Sequence, residues 1–176
     1  MRYFFGFLIS AALLFASGEL SGRRAPGFSL PDLHLKQHDL QDYRGKIVII
    51  DIMQTTCPHC RLLAGTLEKV EAKYGDKIAV LSIVNPPDNQ SSVARFTEEH
   101  HISTPVLFDC GQVSVSYLKV TPQNPKVDVP HLFLIDGQGT IRNDFSYGFE
   151  TRSIFEGDGL NFEIDRLLGI PAKVKK

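Results

Sequence analysis

Two cysteines stand three positions apart in "TTCPHCRLLAGTLEKV", residues 55–70. Cys57 and Cys60, with Pro58 and His59 between them, suit three chemistries. They can clamp a metal, close a structural disulfide, or trade electrons as a dithiol. A closed zinc site usually takes its four ligands as two such pairs, and no second CxxC exists. A structural disulfide across so small a loop would add little stability. The redox reading rests on where the pair sits.

"KIVIIDIM", residues 46–53, is a continuous β-branched run, which suits a strand covered on both faces. After the pair, Leu63, Leu67, Val70 and Tyr74 recur at helical spacing, and Gly75 ends that helix. Cys57 is therefore expected at a helix N-terminus. Free backbone N–H groups and the helix dipole there favour a thiolate. Pro58 suits the first helical position, where a missing N–H costs nothing. His59, when protonated, adds positive charge beside the sulfur. Cys57 then attacks, and Cys60, one turn inward, resolves.

The remaining pattern is strand and helix in alternation. "FSLPDLHL" reads as an edge strand and "QDYRG" as a short turn or helical bend. "KIAVLSIV", residues 77–84, is a second buried strand. Ser91 or Ser92 is the expected cap of a helix over "VARFTEEHH". Residues 104–109 form a third strand, and "GQVSVSYLKV" fits helix and strand equally. "VPHLFLID", residues 129–136, is a fourth strand. "GQG" turns it into an antiparallel return, "TIRNDFSY". A last helix is expected over residues 161–168. The sum is an α/β sheet layered between helices.

At 176 residues one domain is the default, and a net charge of -1 with both signs interspersed argues against nucleic acid as a partner. The N-terminus differs. Residues 3–16, "YFFGFLISAALLFA", follow Arg2 without a charge. Small residues come next, with Ala16-Ser17-Gly18 as a cleavage site. Residues 1–20 read as a signal peptide or an N-terminal membrane anchor, and residues 21–176 as the domain. Ser21 to Pro31 reads as linker and loop. Export would place the cysteines in an oxidising compartment, the periplasm or cell envelope.

"APGFSLPDL" and "LQDYRGKIVIIDIMQTTCPHC" resemble the opening of TlpA-like thioredoxin-fold proteins of the bacterial envelope, in the redoxin and AhpC/TSA-like superfamily. "VPHLFLIDGQGTIRNDFSYG" resembles their later strand pair. The resemblance covers about residues 25–169. It implies a central mixed sheet flanked by helices, with a strand–helix insertion between the two halves over residues 90–120. It implies a thiol–disulfide oxidoreductase that needs no cofactor beyond the Cys57–Cys60 disulfide. Its partners would be protein thiols or disulfides and an envelope redox protein that resets the pair. Reduction of cytochrome c haem-site cysteines is one such role.

The resemblance also places a cis-proline at Pro130, with the Val129 backbone presented to an extended peptide and His131 held nearby. It places a buried acid at Asp51, ready to move the proton of Cys60. The other reading of Asp51 is a solvated carboxylate without a role. The Pro-His dipeptide and the Val before the proline resemble the oxidant DsbA instead, and no Trp precedes the motif. A peroxiredoxin would carry Thr three residues before its cysteine; here Gln54 stands there. A reading of another class has Cys57, Cys60 and His131 converging as soft ligands for Cu(I) in a copper carrier. Cys110 reads as a free, partly buried thiol. His100 and His101 read as solvated.

Overall fold

The computed structural model describes residues 18–171. Residues 1–17 of the expected leader, residues 1–20, lie outside them. Two short strands, β1 (Ser29–Pro31) and β2 (Gln37–Asp39), form an antiparallel pair of their own. The main sheet holds β3 (Ile47–Met53), β4 (Ile78–Val84), β5 (Val106–Phe108), β6 (His131–Ile135) and β7 (Ile141–Ser146). Their order is β5-β4-β3-β6-β7. β3, β4 and β5 run parallel, while β6 lies antiparallel to β3 and to β7. The sheet is mixed, as the resemblance implies. The helices are α1 (Pro58–Tyr74), α2 (Gln90–His100), α3 (Gln112–Leu118), α4 (Arg152–Glu156) and α5 (Gly159–Leu167).

Strand alternation sends β3 side chains to two cores. Ile47 and Ile49 pack with Leu63 and Leu67 of α1 and Leu160 and Ile164 of α5. Val48, Ile50 and Ile52 pack with Val113 and Tyr117 of α3 and with Phe28 and Leu30. Every residue of β3 and β4 is buried, which is why both read as apolar runs, each broken by a single polar residue, Asp51 and Ser82.

Three local expectations need correction, one open choice is settled and one helix is added. The α2 cap is Asn89, not a serine: its side-chain oxygen accepts from the N–H groups of Ser91 and Ser92, and the Ser92 hydroxyl closes a capping box. "GQVSVSYLKV" is helical, because the Asp109 carboxylate accepts from the N–H groups of Gly111, Val113 and Ser114 and starts α3. Cys110 is exposed, since β5 ends at Phe108 and the inward place goes to Asp109. Before the final helix stands an extra one, α4, too short to show a period.

The third correction concerns the expected linker. Residues 18–25 run along the outer edge of β7. Gly18 N–H donates to the Asp144 carbonyl at 3.0 Å, Gly22 N–H to Ile141 at 2.7 Å and Ala25 N–H to Gly139 at 2.9 Å. Leu20 and Ala25 are buried in the core. A Cβ at Gly18 would run into the Asp144 carboxyl. This arrangement covers a sheet edge that would otherwise be open.

The Asp144 side chain fastens that segment from below, accepting from Leu20 N–H at 3.0 Å and from His131 Nε2 at 2.6 Å. Burial alone would raise its pKa; the His131 and Leu20 donors outweigh burial and hold it below the usual carboxylate range. The stabilisation is complete above pH about 4, the unfolded value, and is lost as pH falls through the lower folded one. Asp144→Ala should cost about 2–4 kcal/mol at neutral pH, because it orphans two buried donors. Urea melts at pH 7 and pH 3 check this, and the difference between variant and parent should shrink at pH 3.

Candidate active site

β3 ends at Met53, and α1 begins at Pro58. Between them the Asp88 carboxylate pins the connection, accepting from Thr55 N–H at 2.9 Å and from the Thr55 hydroxyl. Cys57 is the N-cap of α1, with φ -77° and ψ 120°, and Pro58 follows in the first turn. The Cys57 sulfur accepts the Cys60 N–H at 3.2 Å. The helix thus aims a backbone donor and its positive end at this atom, an arrangement that stabilises negative charge on it.

Cys60 is the opposite case. It is 0% exposed, packed among Met53, Ala64, Val84 and Val93. Burial pushes its thiol pKa well up, and the hydrogen bond with Cys57 and the Asp51 charge push further. The structure holds Cys57 and Cys60 as thiols, the first partly exposed.

Asp51 is also 0% exposed. On β3 it shares a face with Ile47 and Ile49, the face covered by α1 and hence the side of Cys60. No donor reaches either carboxyl oxygen in hydrogen-bonding geometry. Desolvation pushes its pKa up to about 8, tempered by the Ser82 hydroxyl on the neighbouring strand. Of the two sequence readings, the solvated one is overturned by this burial. Desolvation favours the protonated form of this carboxyl, on the sheet face that α1 covers.

The Val129–Pro130 peptide bond is cis. The Val129 carbonyl oxygen lies 4.0 Å from the Cys57 sulfur, and Val129 packs against the cluster holding Cys60. A backbone acceptor therefore faces the sulfur across the gap between α1 and β6. His131 does not join them. It opens β6 on the sheet face of Phe133, whose ring it stacks on at 4.6 Å. Its nitrogens are bonded to Asp144 at 2.6 Å and Ser146 at 3.3 Å. The expected convergence of Cys57, Cys60 and His131 on copper is not formed. A His-x-x-x-His spacing does occur, at His34 and His38, but both His38 nitrogens are bonded to Tyr43 and Asp32. Among the described residues no cluster of three or more His, Cys, Asp or Glu has the geometry of a metal site.

Sequence reasoning misses three contributors. Asp88 acts from the loop after β4. Tyr147 and Glu156, from β7's end and α4, meet His59. The His59 ring stacks on Tyr147 at 4.3 Å, and its Nδ1 lies 3.9 Å from Glu156 Oε1. Nothing local marks these residues, because their partner lies far away in the chain.

The AhpC/TSA family model matches residues 21–144. The chain belongs to this family. Among curated AhpC/TSA-like relatives, the thioredoxin-like protein YneN of Bacillus subtilis is 28% identical over 141 residues, covering 79% of this chain and 78% of that protein. The thiol-disulfide oxidoreductase ResA of Bacillus anthracis is 27% identical over 136 residues, covering 77% and 75%. A thiol:disulfide interchange protein of the thioredoxin family from Chlorobium tepidum superposes with a TM-score of 0.69 at 17% identity, over 88% of this chain and all of that one. Peroxidoxin BcpB of Mycobacterium tuberculosis gives 0.68 at 18%, over 86% and 98%. At these identities the two superpositions show a shared fold, and the chemistry rests on the residues of the site itself.

Proposed function

We propose that this thiol–disulfide oxidoreductase works outside the cytoplasm as a reductase of protein disulfides, with cytochrome c haem-site cysteines among its targets. One observation carries the chemistry: an N-cap sulfur that accepts a backbone N–H, with a buried thiol one turn behind it. The Cys57 thiolate attacks a substrate disulfide; that S–S bond breaks, and the departing sulfur takes a proton. A mixed disulfide now joins Cys57 to the substrate. Asp51, as carboxylate, takes the Cys60 proton. The Cys60 thiolate attacks the Cys57 sulfur, the mixed disulfide bond breaks, and the second substrate sulfur leaves as a thiolate that takes a proton from water. Two electrons reach the substrate, and the Cys57–Cys60 disulfide remains for an envelope partner to reduce.

Val129 offers its backbone to the substrate strand beside the reacting sulfur, in a short β-type pairing. Residues 1–20, as leader or anchor, would carry the domain to the envelope. Among the described residues no helix is long and apolar enough to cross a membrane. The reducing direction is supported by the longer match to TlpA-like proteins. The Pro-His dipeptide supports the opposite, DsbA-like direction, since positive charge at His59 stabilises the reduced pair.

A titration against glutathione separates the two directions. A potential near about -270 mV supports the reductase, and one near about -120 mV overturns it in favour of an oxidant. The order of steps is checked with Cys60→Ala. That variant should accumulate mixed disulfides through Cys57, released by dithiothreitol; a variant that traps no substrate contradicts the order.

A further inference from the structure

α4 packs its buried face, Ile154 and Phe155, into the core with α1 and α5. Its outward residues turn to the active-site loop. Tyr147 sits between the two, with its ring edge-on to buried Phe155 at 5.4 Å and its other side stacked on His59. The Tyr147 hydroxyl donates to Glu156 Oε1, the same oxygen that faces His59 Nδ1 at 3.9 Å. The second carboxylate oxygen, Oε2, accepts from Arg152 Nε at 2.6 Å. The Tyr147 and Arg152 hydrogen bonds keep the Glu156 carboxyl below its ordinary pKa, so it is an anion at neutral pH. The middle histidine of the redox motif is thereby clasped between a core-backed aromatic ring and a fixed carboxylate.

We propose that Tyr147 and Glu156 are positioning residues for His59, and through it set the redox balance of Cys57 and Cys60. The proposal rests on the reading of these cysteines as the working pair. The mechanism is electrostatic. The Glu156 carboxylate facing the imidazole nitrogen and the Tyr147 ring stacked on it together hold that ring beside the Cys57 turn. Whenever a ring held there carries its second proton, its positive charge stabilises the thiolate form, so the reduced pair gains over the disulfide. Arg152 and Glu156 together carry no net charge, so the pair's direct field at Cys57 is small.

That neutrality supplies the test. The double variant Arg152→Gln/Glu156→Gln removes the carboxylate charge facing His59 without changing the net charge. Purified full-length protein is equilibrated in glutathione buffers, and the fraction of reduced Cys57–Cys60 is read by alkylation and mass spectrometry. The double variant should lower the equilibrium constant for reduction of the pair by about threefold, the scale of an exposed ion pair. Tyr147→Phe keeps the ring and loses the hydroxyl, so it should give a smaller fall. In a His59→Ala background the same double substitution should change nothing. An unchanged constant, or an equal change with and without His59, overturns the clasp. Failure of the parent protein to cycle at all would instead sink the reading of the pair. Thermal melts identify any variant that has lost its fold, and Tyr147→Phe, which keeps the core contact, then decides.

Discussion

Cys57→Ser should leave no measurable disulfide reduction while the protein stays folded. Serine oxygen is not ionised at neutral pH and does not attack disulfides, so the first bond never forms. Cys60 cannot substitute, because it is 0% exposed and its thiol is pushed well up in pKa. The third cysteine, Cys110, is exposed beyond the end of β5 and lies outside the core cluster that holds the pair. Serine is a good N-cap residue and can accept the Cys60 N–H in place of sulfur. The melting temperature should therefore stay close to the parent's while turnover falls by at least about a thousandfold. Insulin reduction and a thermal melt on the same sample check both halves.

The second large effect belongs to Asp51 and has two opposite signs. Its folded pKa is raised, to about 8, against 3.8 for the ordinary group. Below pH about 4 folded and unfolded chains are both protonated, and the group is neutral towards stability. As pH rises the unfolded chain gives up this proton first, so stability falls between about 4 and 8. Above that window the whole penalty, several kcal/mol, is present. Asp51→Asn removes the charge with little change of shape. It should match the parent near pH 4 and exceed it by a few kcal/mol at pH 9, in urea melts of the reduced protein.

The same variant should be a poorer enzyme. Without a carboxylate no buried group accepts the Cys60 proton, and resolution of the mixed disulfide should slow by roughly a hundredfold. In the parent this step should speed up as pH passes through about 8, where Asp51 ionises; in Asp51→Asn that inflection should vanish. Stopped-flow resolution of a preformed mixed disulfide across pH 6–10 reads it directly. An Asp51→Asn profile identical to the parent's would remove Asp51 from the mechanism.

The strand–CxxC–helix unit is readable in the sequence for a physical reason. A fully buried strand, an N-terminal proline and a four-residue apolar period are each local signals, and they agree. The same holds for the β6–β7 hairpin, where Gly139 takes the turn at φ 82°. Asp51 is only half readable: its place on the strand is clear, but burial without a donor depends on what β4 and α1 bring over it. His131 shows the limit of proximity in sequence. It follows the cis-proline directly, yet the pleat turns it to the other face, towards Asp144. Residues 21–25 look like linker because Gly and Arg dominate them, and their pairing is to β7, far along the chain. Tyr147 and Glu156 fail for the same reason: their meaning lies in contact with His59, and no local period announces it.

The central claim is that Cys57 holds the reactive sulfur and Cys60 waits sealed behind it. Site-resolved alkylation of the reduced protein at pH 7 tests this most directly. Brief exposure to iodoacetamide, followed by peptide mass mapping, should show Cys57 modified many times faster than Cys60, with Cys60 labelled only after denaturation. Equal labelling of the two, or faster labelling at Cys60, would contradict the account.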